Sequence, residues 1–306
     1  MKPRFRLPLI RLVTFWIIAQ LTPHFAVAEI YGSGWYGELQ LSAGHEDNLS
    51  RSYKDEDLLD ETSATITIGG GYATKIGQRM QLISGAYVGY TDRQNVSVLS
   101  NTAVSLGSEL IYQPSNAYDA PWYIASLDVT RLEFEDSDAR DGYVFSGDLG
   151  MARRLTMRST ARIGYRYSDF VFVGKDVADE RRHAAFDTAY HELYVSADMR
   201  LASNLGLIVA YSRRHGGFTS SVSGSPDPNA GYEAETADHA FETCVNNRCD
   251  PWYAYRAVAD TDIIDVGLVF AMAGATFDVS IRHLTADAAP QRYDNTLVQI
   301  GTIWNF

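Results

Sequence analysis

From Trp35 onward, apolar and polar positions alternate. Trp35, Gly37, Leu39, Leu41 and Ala43 fall on one face, and Tyr36, Glu38, Gln40 and Ser42 fall on the other. A period of two over ten residues predicts a β-strand with one apolar and one polar side. The pattern recurs at 62–75, 79–91, 98–112, 122–132, 142–153, 158–168, 187–200, 205–214, 261–272, 275–285 and 295–306, which makes twelve strands with the first. The connections alternate too. Those after even strands are mostly tight, as at 76–78, 154–157, 201–204 and 273–274, with 113–121 the longer exception. Those after odd strands are mostly long and charged, at 46–61, 133–141, 169–186 and 215–260.

Short turns at one end and long loops at the other predict an all-β fold: a closed antiparallel transmembrane β-barrel of about twelve strands, its long loops extracellular and its short turns periplasmic. Parity then separates lipid from lumen. Val88, Leu149, Leu193, Val266 and Ile281 are expected outward, with Tyr72, Tyr90, Tyr112, Tyr143, Tyr165, Tyr167, Tyr211 and Trp304 as aromatic girdles near the strand ends. The same parity sends Glu38, Gln40, Glu109, Asp128, Asp148, Arg162, Arg166, Glu192, Asp198, Arg200, Asp265, Asp278 and Arg282 into the lumen. Charges of both signs on adjacent strands, such as Asp148, Arg162, Arg166 and Glu192, are expected to pair across the wall. They would serve either as a salt-bridge filling or as the lining of a pore. The size of a twelve-stranded barrel leaves both open.

The chain has 306 residues, 46% hydrophobic and 21% charged. No run of about 18 apolar residues follows the N-terminal segment, which excludes a helical membrane protein. That segment carries Lys2, Arg4, Arg6 and Arg11, then apolar 12–21, then Ala26-Val27-Ala28, the pattern of a cleaved signal peptide over 1–28. The barrel is then 29–306. Without 1–28, which holds four basic and no acidic residues, 22 basic residues stand against 38 acidic, a net of −16. This argues against nucleic acid as a partner.

Cys244 and Cys249, the only cysteines, are expected to form a small-loop disulfide in an oxidising compartment. The acidic loop residues Glu46, Asp47, Asp55, Glu56, Asp57, Asp60 and Glu61 read as a solvated surface, with cation capture or cation-bridged lipopolysaccharide phosphates as the sharper alternative. No calcium-loop motif accompanies them, so no metal site or cofactor is assigned. His45, His191 and His283 share the apolar face's parity near the extracellular rim, while His183, His215 and His239 fall on loops. No G-x-S-x-G occurs and no nucleophile, base and orienter assemble from sequence neighbours, so no catalytic residue is assigned. The glycines at 69–71 lie mid-strand and read as a close approach or bend.

In the last strand Val298, Ile300, Thr302, Trp304 and Phe306 share a face, and Phe306 ends the chain. This resembles the C-terminal signature of Gram-negative outer-membrane barrels, which in that superfamily is recognised by the barrel-insertion machinery. Gly44, Glu46, Asp47, Asn48, Leu49 and Arg51 resemble the strand-end motif of barrels in surface lipoprotein assembly modifiers and exopolysaccharide operons. That likeness implies an export system as a partner. Barrel phospholipases resemble the rim placement of the three histidines, although their motif has Ser two residues after His, where this chain has Asp47, Leu193 and Thr285. The expectations are outer-membrane location, contact with membrane lipids and lipopolysaccharide, and passage as a small-solute channel or export-associated barrel. The alternatives are a lipid hydrolase with a rim site and an adhesin or receptor acting through its loops.

Overall fold

In the computed structural model, which describes residues 33–173, 185–224, 232–245, 248–272 and 274–306, the alternation becomes one closed sheet. The expected signal peptide and His183 lie outside these residues. Nine strands run in order: β1 Gly34–Glu46, β2 Glu61–Ile76, β3 Met80–Arg93, β4 Asn101–Tyr112, β5 Trp122–Phe134, β6 Gly142–Thr156, β7 Ser159–Phe172, β8 Thr188–Arg200 and β9 Leu205–Ser223. Three short ones follow, β10 Ala234–Ala237, β11 Thr243–Val245 and β12 Arg248–Asp250. The wall is completed by β13 Trp252–Met272, β14 Ala275–Ala288 and β15 Gln291–Asn305. Long strands pair antiparallel with their neighbours, β9 pairs with β13, and β15 closes on β1 from Glu38↔Asn305 to Glu46↔Leu297. Closure leaves no unpaired edge, which is what permits a sheet to cross a bilayer.

The side chains follow the predicted parity. Val88, Leu106, Leu127, Leu149, Ile163, Leu193, Ile264, Val279 and Ile300 are all exposed on the outer surface. A large apolar side chain left in water forgoes about 1.5–3 kcal/mol, so a continuous belt of them belongs in hydrocarbon. Trp35, Tyr72, Tyr112, Tyr118 and Tyr123 ring its periplasmic edge, and Tyr90, Tyr143, Tyr167 and Tyr211 ring the other. The protein is therefore an outer-membrane-type barrel by its surface as well as its topology.

One boundary differs from expectation. β9 runs on to Ser223 and β13 begins at Trp252, paired as Trp252↔Ser223, so the predicted loop 215–260 shrinks to 224–251. The alternation weakens there because the inward face turns apolar beneath the loops, while Thr219 and Ser221 stand on the outward one. Phe218, Val222, Tyr255, Ala257 and Ala259 pack with Ala286, Ala288 and Tyr293, and Tyr53 of the first loop seals them. His215 and Asp260 thus lie on strands, with His215 Nδ1 2.8 Å from Asp260 Oδ1 on the exposed face.

The end of the chain closes the seam: Gly37 N donates to Phe306 O at 2.7 Å, and Phe306 N donates to Gly37 O at 2.9 Å. Trp304 stands opposite Leu39 and Ala275. Deleting Phe306, or placing Asp at Trp304, is expected to reduce the heat-modifiable, membrane-embedded fraction. Unchanged yield of both variants would contradict the closing role of this strand.

Candidate functional site

The lumen carries a ladder of charges that climbs across β6, β7, β8 and β9. Arg162 Nη2 donates to Asp148 Oδ1 at 2.7 Å, and Arg166 Nη2 donates to Asp148 Oδ2 at 3.0 Å. Arg166 Nη1 reaches Glu192 Oε1 at 3.0 Å, and Arg214 grips Glu192 Oε2 through Nη2 at 2.8 Å and Nε at 3.1 Å. Tyr194 adds its hydroxyl to Asp148 Oδ1 at 2.9 Å, and its ring lies 5.2 Å from both Arg162 and Arg166. Asp148 and Glu192 are buried behind the arginines they hold. The structure thus brings together the four residues that the sequence reading paired. It adds Arg214, which the alternation places at the very end of the ninth predicted strand, and Tyr194, which shares the inward parity of Glu192.

The remaining expected lumen residues stand elsewhere around the wall. Asp265 accepts from Arg282 Nε at 2.6 Å, and a cleft beside them is lined by Gln40, Asp278 and Gln299. Glu38 takes the Gln40 amide, and Asp128 lies over Gly107. Glu109, between Ile83 and Ser126, is half-buried. Asp198 is half-buried and Arg200 exposed at the periplasmic end of β8, outside the ladder. The interior charge is therefore mixed, with three arginines and two carboxylates in the ladder and an Arg282–Asp265 pair on the β13–β14 side. β7, with two arginines, and β1, with Glu38, lie six strands apart whichever way round the barrel is counted.

Glycine keeps room between these walls. A Cβ at Gly69 would strike the Tyr87 ring, one at Gly71 or Gly85 would meet Tyr36 Oη, and one at Gly150 or Gly164 would meet Tyr194 Oη. Tyr36 and Tyr87, whose hydroxyls meet at 3.3 Å, therefore lie flat against one wall, and Tyr194 lies flat against another. The mid-strand glycines are close-approach sites, as their position suggested.

Above the ladder the extracellular loops fold inward. The first loop, 47–60, is built on Asn48, which accepts from Ser50 Oγ at 3.1 Å and Ser52 N at 3.0 Å and donates to Asp294 O at 2.8 Å. Arg51 turns the chain with φ 51°, a left-handed conformation that costs a non-glycine residue about 1–2 kcal/mol. Asp47 Oδ1 accepts from Thr296 N at 2.7 Å, and Leu49 packs beside Leu99, Phe241 and Trp252. The Gly44–Arg51 motif thus has a structural use: it bends this loop into the mouth.

Asp57 ties the loop to Ser223 through both its backbone N and Oγ. Asp238 ties 224–251 to the β5–β6 loop through Arg140 Nη2 at 2.5 Å, and to β9 through Ser221 Oγ. Asp57 and Glu61 are buried, and Glu61 receives the backbone N–H groups of Gln94, Asn95 and Val96. The acidic first loop is therefore only partly the solvated surface that its composition suggested. Among the described residues no three His, Cys, Asp or Glu converge as metal ligands.

The rim histidines are exposed, as parity placed them. His45 Nδ1 lies 3.1 Å from Thr62 Oγ1, and His191 Nδ1 lies 2.5 Å from Tyr165 Oη. Thr285 Oγ1 is 3.5 Å from His283 Nε2 but gives its proton to Asp294 Oδ1 at 2.6 Å, while His283 Nδ1 faces Thr296 Oγ1 at 3.2 Å. A nucleophile–base–acid relay needs the carboxylate behind the imidazole, and here it sits on the hydroxyl instead. His239 Nδ1 pairs with Glu242 at 3.0 Å. In the β11–β12 hairpin the register sets Cys244 opposite Cys249.

No family model matches this sequence, and no curated protein sequence matches it. Solved structures do. An outer-membrane channel from Pseudomonas putida F1 superposes with a TM-score of 0.57 at 10% identity, covering 90% of this chain and 96% of that one. The NanC porin aligns at 0.47 and 8% identity, covering 87% of this chain and 98% of that one. At such identities the likeness to the first is one of fold, in agreement with the barrel's own closure and belt.

Proposed function

We propose that this barrel is a passive channel for small solutes that sorts them by charge. The observation that carries the reading is the charged interior of a closed wall. Arg162, Arg166 and Arg214 interleave with Asp148 and Glu192 along one side, Arg282 pairs with Asp265 on another, and Tyr36, Tyr87 and Tyr194 lie flat over glycines. A rigid lumen lined by fixed charges filters ions and polar solutes by field and size. The inward-folded loops narrow the mouth, which restricts passage to small molecules. The channel name attached to the Pseudomonas putida neighbour agrees with this reading. Liposome swelling tests it: vesicles carrying the barrel should swell in small polar solutes and not in large oligosaccharides. Swelling no faster than in empty vesicles would contradict it.

A second reading, a closed scaffold whose extracellular loops bind a partner, is favoured by the packed mouth. Export-system association rests on the Gly44–Arg51 resemblance alone, and lipid hydrolysis finds little support where His45, His191 and His283 meet Thr62, Tyr165 and Thr296 in place of a carboxylate.

The loops also carry the cysteine pair. Directly opposed residues of an antiparallel ladder have Cα atoms about 4.5–5.5 Å apart, within the range that a disulfide spans. A bond here would close a very short loop and add about 2 kcal/mol or less. Unreduced, denatured protein is expected to resist thiol labelling, and quantitative labelling of Cys244 and Cys249 would show that the bond is absent.

A further inference from the structure

Directly above the ladder, four arginines gather under the loops. Arg214 leads up from Glu192, Arg140 comes from the β5–β6 loop, Arg51 from the first loop, and Arg93 from the top of β3. Three are braced by rings: Arg51 lies 5.6 Å from the Phe218 centroid, Arg140 4.5 Å from Phe186, and Arg214 3.9 Å from Tyr190. Their mutual proximity shows in Arg51, whose guanidinium is held below the ordinary arginine range by burial first. The charges of Arg214, Arg93 and Arg140 push the same way, against the pull of Glu46.

The neighbouring carboxylates are largely engaged. Asp238 holds Arg140 and Ser221, Glu192 is shared by Arg166 and Arg214, and Glu61 is bound to three backbone N–H groups. Glu46 accepts from Asn295 Nδ2 at 2.6 Å. Arg93 is 6% exposed, yet its Nε and Nη1 have no hydrogen-bond partner. Glu46 and Glu61 act on the Arg93 charge, but neither accepts from these two donors. A buried donor without a partner is costly, and an oxyanion that accepts a charge-assisted hydrogen bond from Arg93 relieves that cost.

We propose that the upper lumen is an oxyanion-binding vestibule. Arg93, supported by the field of Arg51, Arg140 and Arg214, holds the carboxylate, phosphate or sulfate group of a solute on its way through the barrel. The inference rests on the channel reading and deepens it, since Arg162, Arg166 and Arg214 form a stair of guanidinium groups leading to the vestibule. Arg93 has inward parity on β3, so a lipid phosphate in the surrounding leaflet lies on the far side of the wall and cannot reach it.

The probe is inorganic phosphate, against the full barrel in detergent and in planar bilayers. Labelled phosphate should bind the wild type in equilibrium dialysis, and Arg93→Gln should weaken that binding by about tenfold or more, the worth of a charge-assisted hydrogen bond. Arg292→Gln, at an exposed rim position, should leave it unchanged. In the bilayer, phosphate should reduce conductance, and Arg93→Gln should relieve the block. If Arg93→Gln does not insert, Arg93→Lys carries the test: it keeps the charge, loses the fork and should bind several-fold more weakly. Equal phosphate binding by wild type and the Arg93 variants, or none by the wild type, overturns the vestibule even if the barrel conducts. Arg93-dependent binding by a barrel that carries no current upholds the vestibule and refutes the channel reading instead.

Discussion

Changing both Arg162 and Arg166 to Ala is expected to destabilise the barrel by a few kcal/mol and to turn its ion preference toward cations. Asp148 would keep only the Tyr194 hydroxyl of its three side-chain donors, and Glu192 would keep only Arg214. Both carboxylates are nearly inaccessible, with side-chain exposures of 7% and 5%, so the loss strands them rather than returning them to water. Breaking a buried pair by removing one partner costs about 3–5 kcal/mol, and the water available on the lumen side offsets part of it. The field effect follows from the same change: two positive charges leave the ladder while Asp128, Asp148, Glu192 and Asp198 remain. Thermal unfolding and reversal potential in a salt gradient, measured on the same preparation, read the two effects. A double variant that unfolds at the wild-type temperature with an unshifted reversal potential would remove the ladder from both roles.

Asp238→Ala is expected to open the mouth. This carboxylate, 2% exposed, joins the 224–251 loop to Arg140 and to Ser221, and its loss leaves the half-buried Arg140 guanidinium without its counter-ion. The penalty, again about 3–5 kcal/mol, falls on the loops, because the β-ladder below does not pass through Asp238. The variant should therefore be cut by protease within 224–251 faster than wild type and pass a larger current. Glu135→Ala, in the exposed part of the β5–β6 loop, serves as the matched control. Wild-type conductance and protease resistance in Asp238→Ala would show that the loops do not gate the lumen.

The strands and their faces were legible because a barrel wall imposes a single rule, lipid on one side and water on the other. Leu149 and Asp148, or Leu193 and Glu192, announce their sides by adjacency alone. Pairing along the ladder was legible for the same reason, since neighbouring strands carried opposite charges at matching parity. Legibility ended where the wall did. Above the membrane the inward face of β9 and β13 turns apolar under the loops, so Phe218, Val222 and Ala257 reverse the polar-inward rule of the wall and the pattern there no longer reads as strand. The vestibule was hidden for a related cause: Arg51, Arg93, Arg140 and Arg214 come from four separate segments and meet only through the inward fold of the first loop. Asn48 and the left-handed Arg51 produce that fold, and in the sequence they stand only as a short motif. The rim histidines show the converse. Their placement was readable, but that Thr285 turns its hydroxyl to Asp294 rather than to His283 depends on the β14–β15 register.

Single-channel recording of the purified full-length barrel in a planar bilayer tests the central claim most directly. A charge-lined open lumen narrowed by its loops should give discrete, small conductance steps in potassium chloride. It should also give a non-zero reversal potential under a salt gradient. A bilayer that stays silent although the protein is folded and inserted would contradict the account and place the function of this barrel in its extracellular loops.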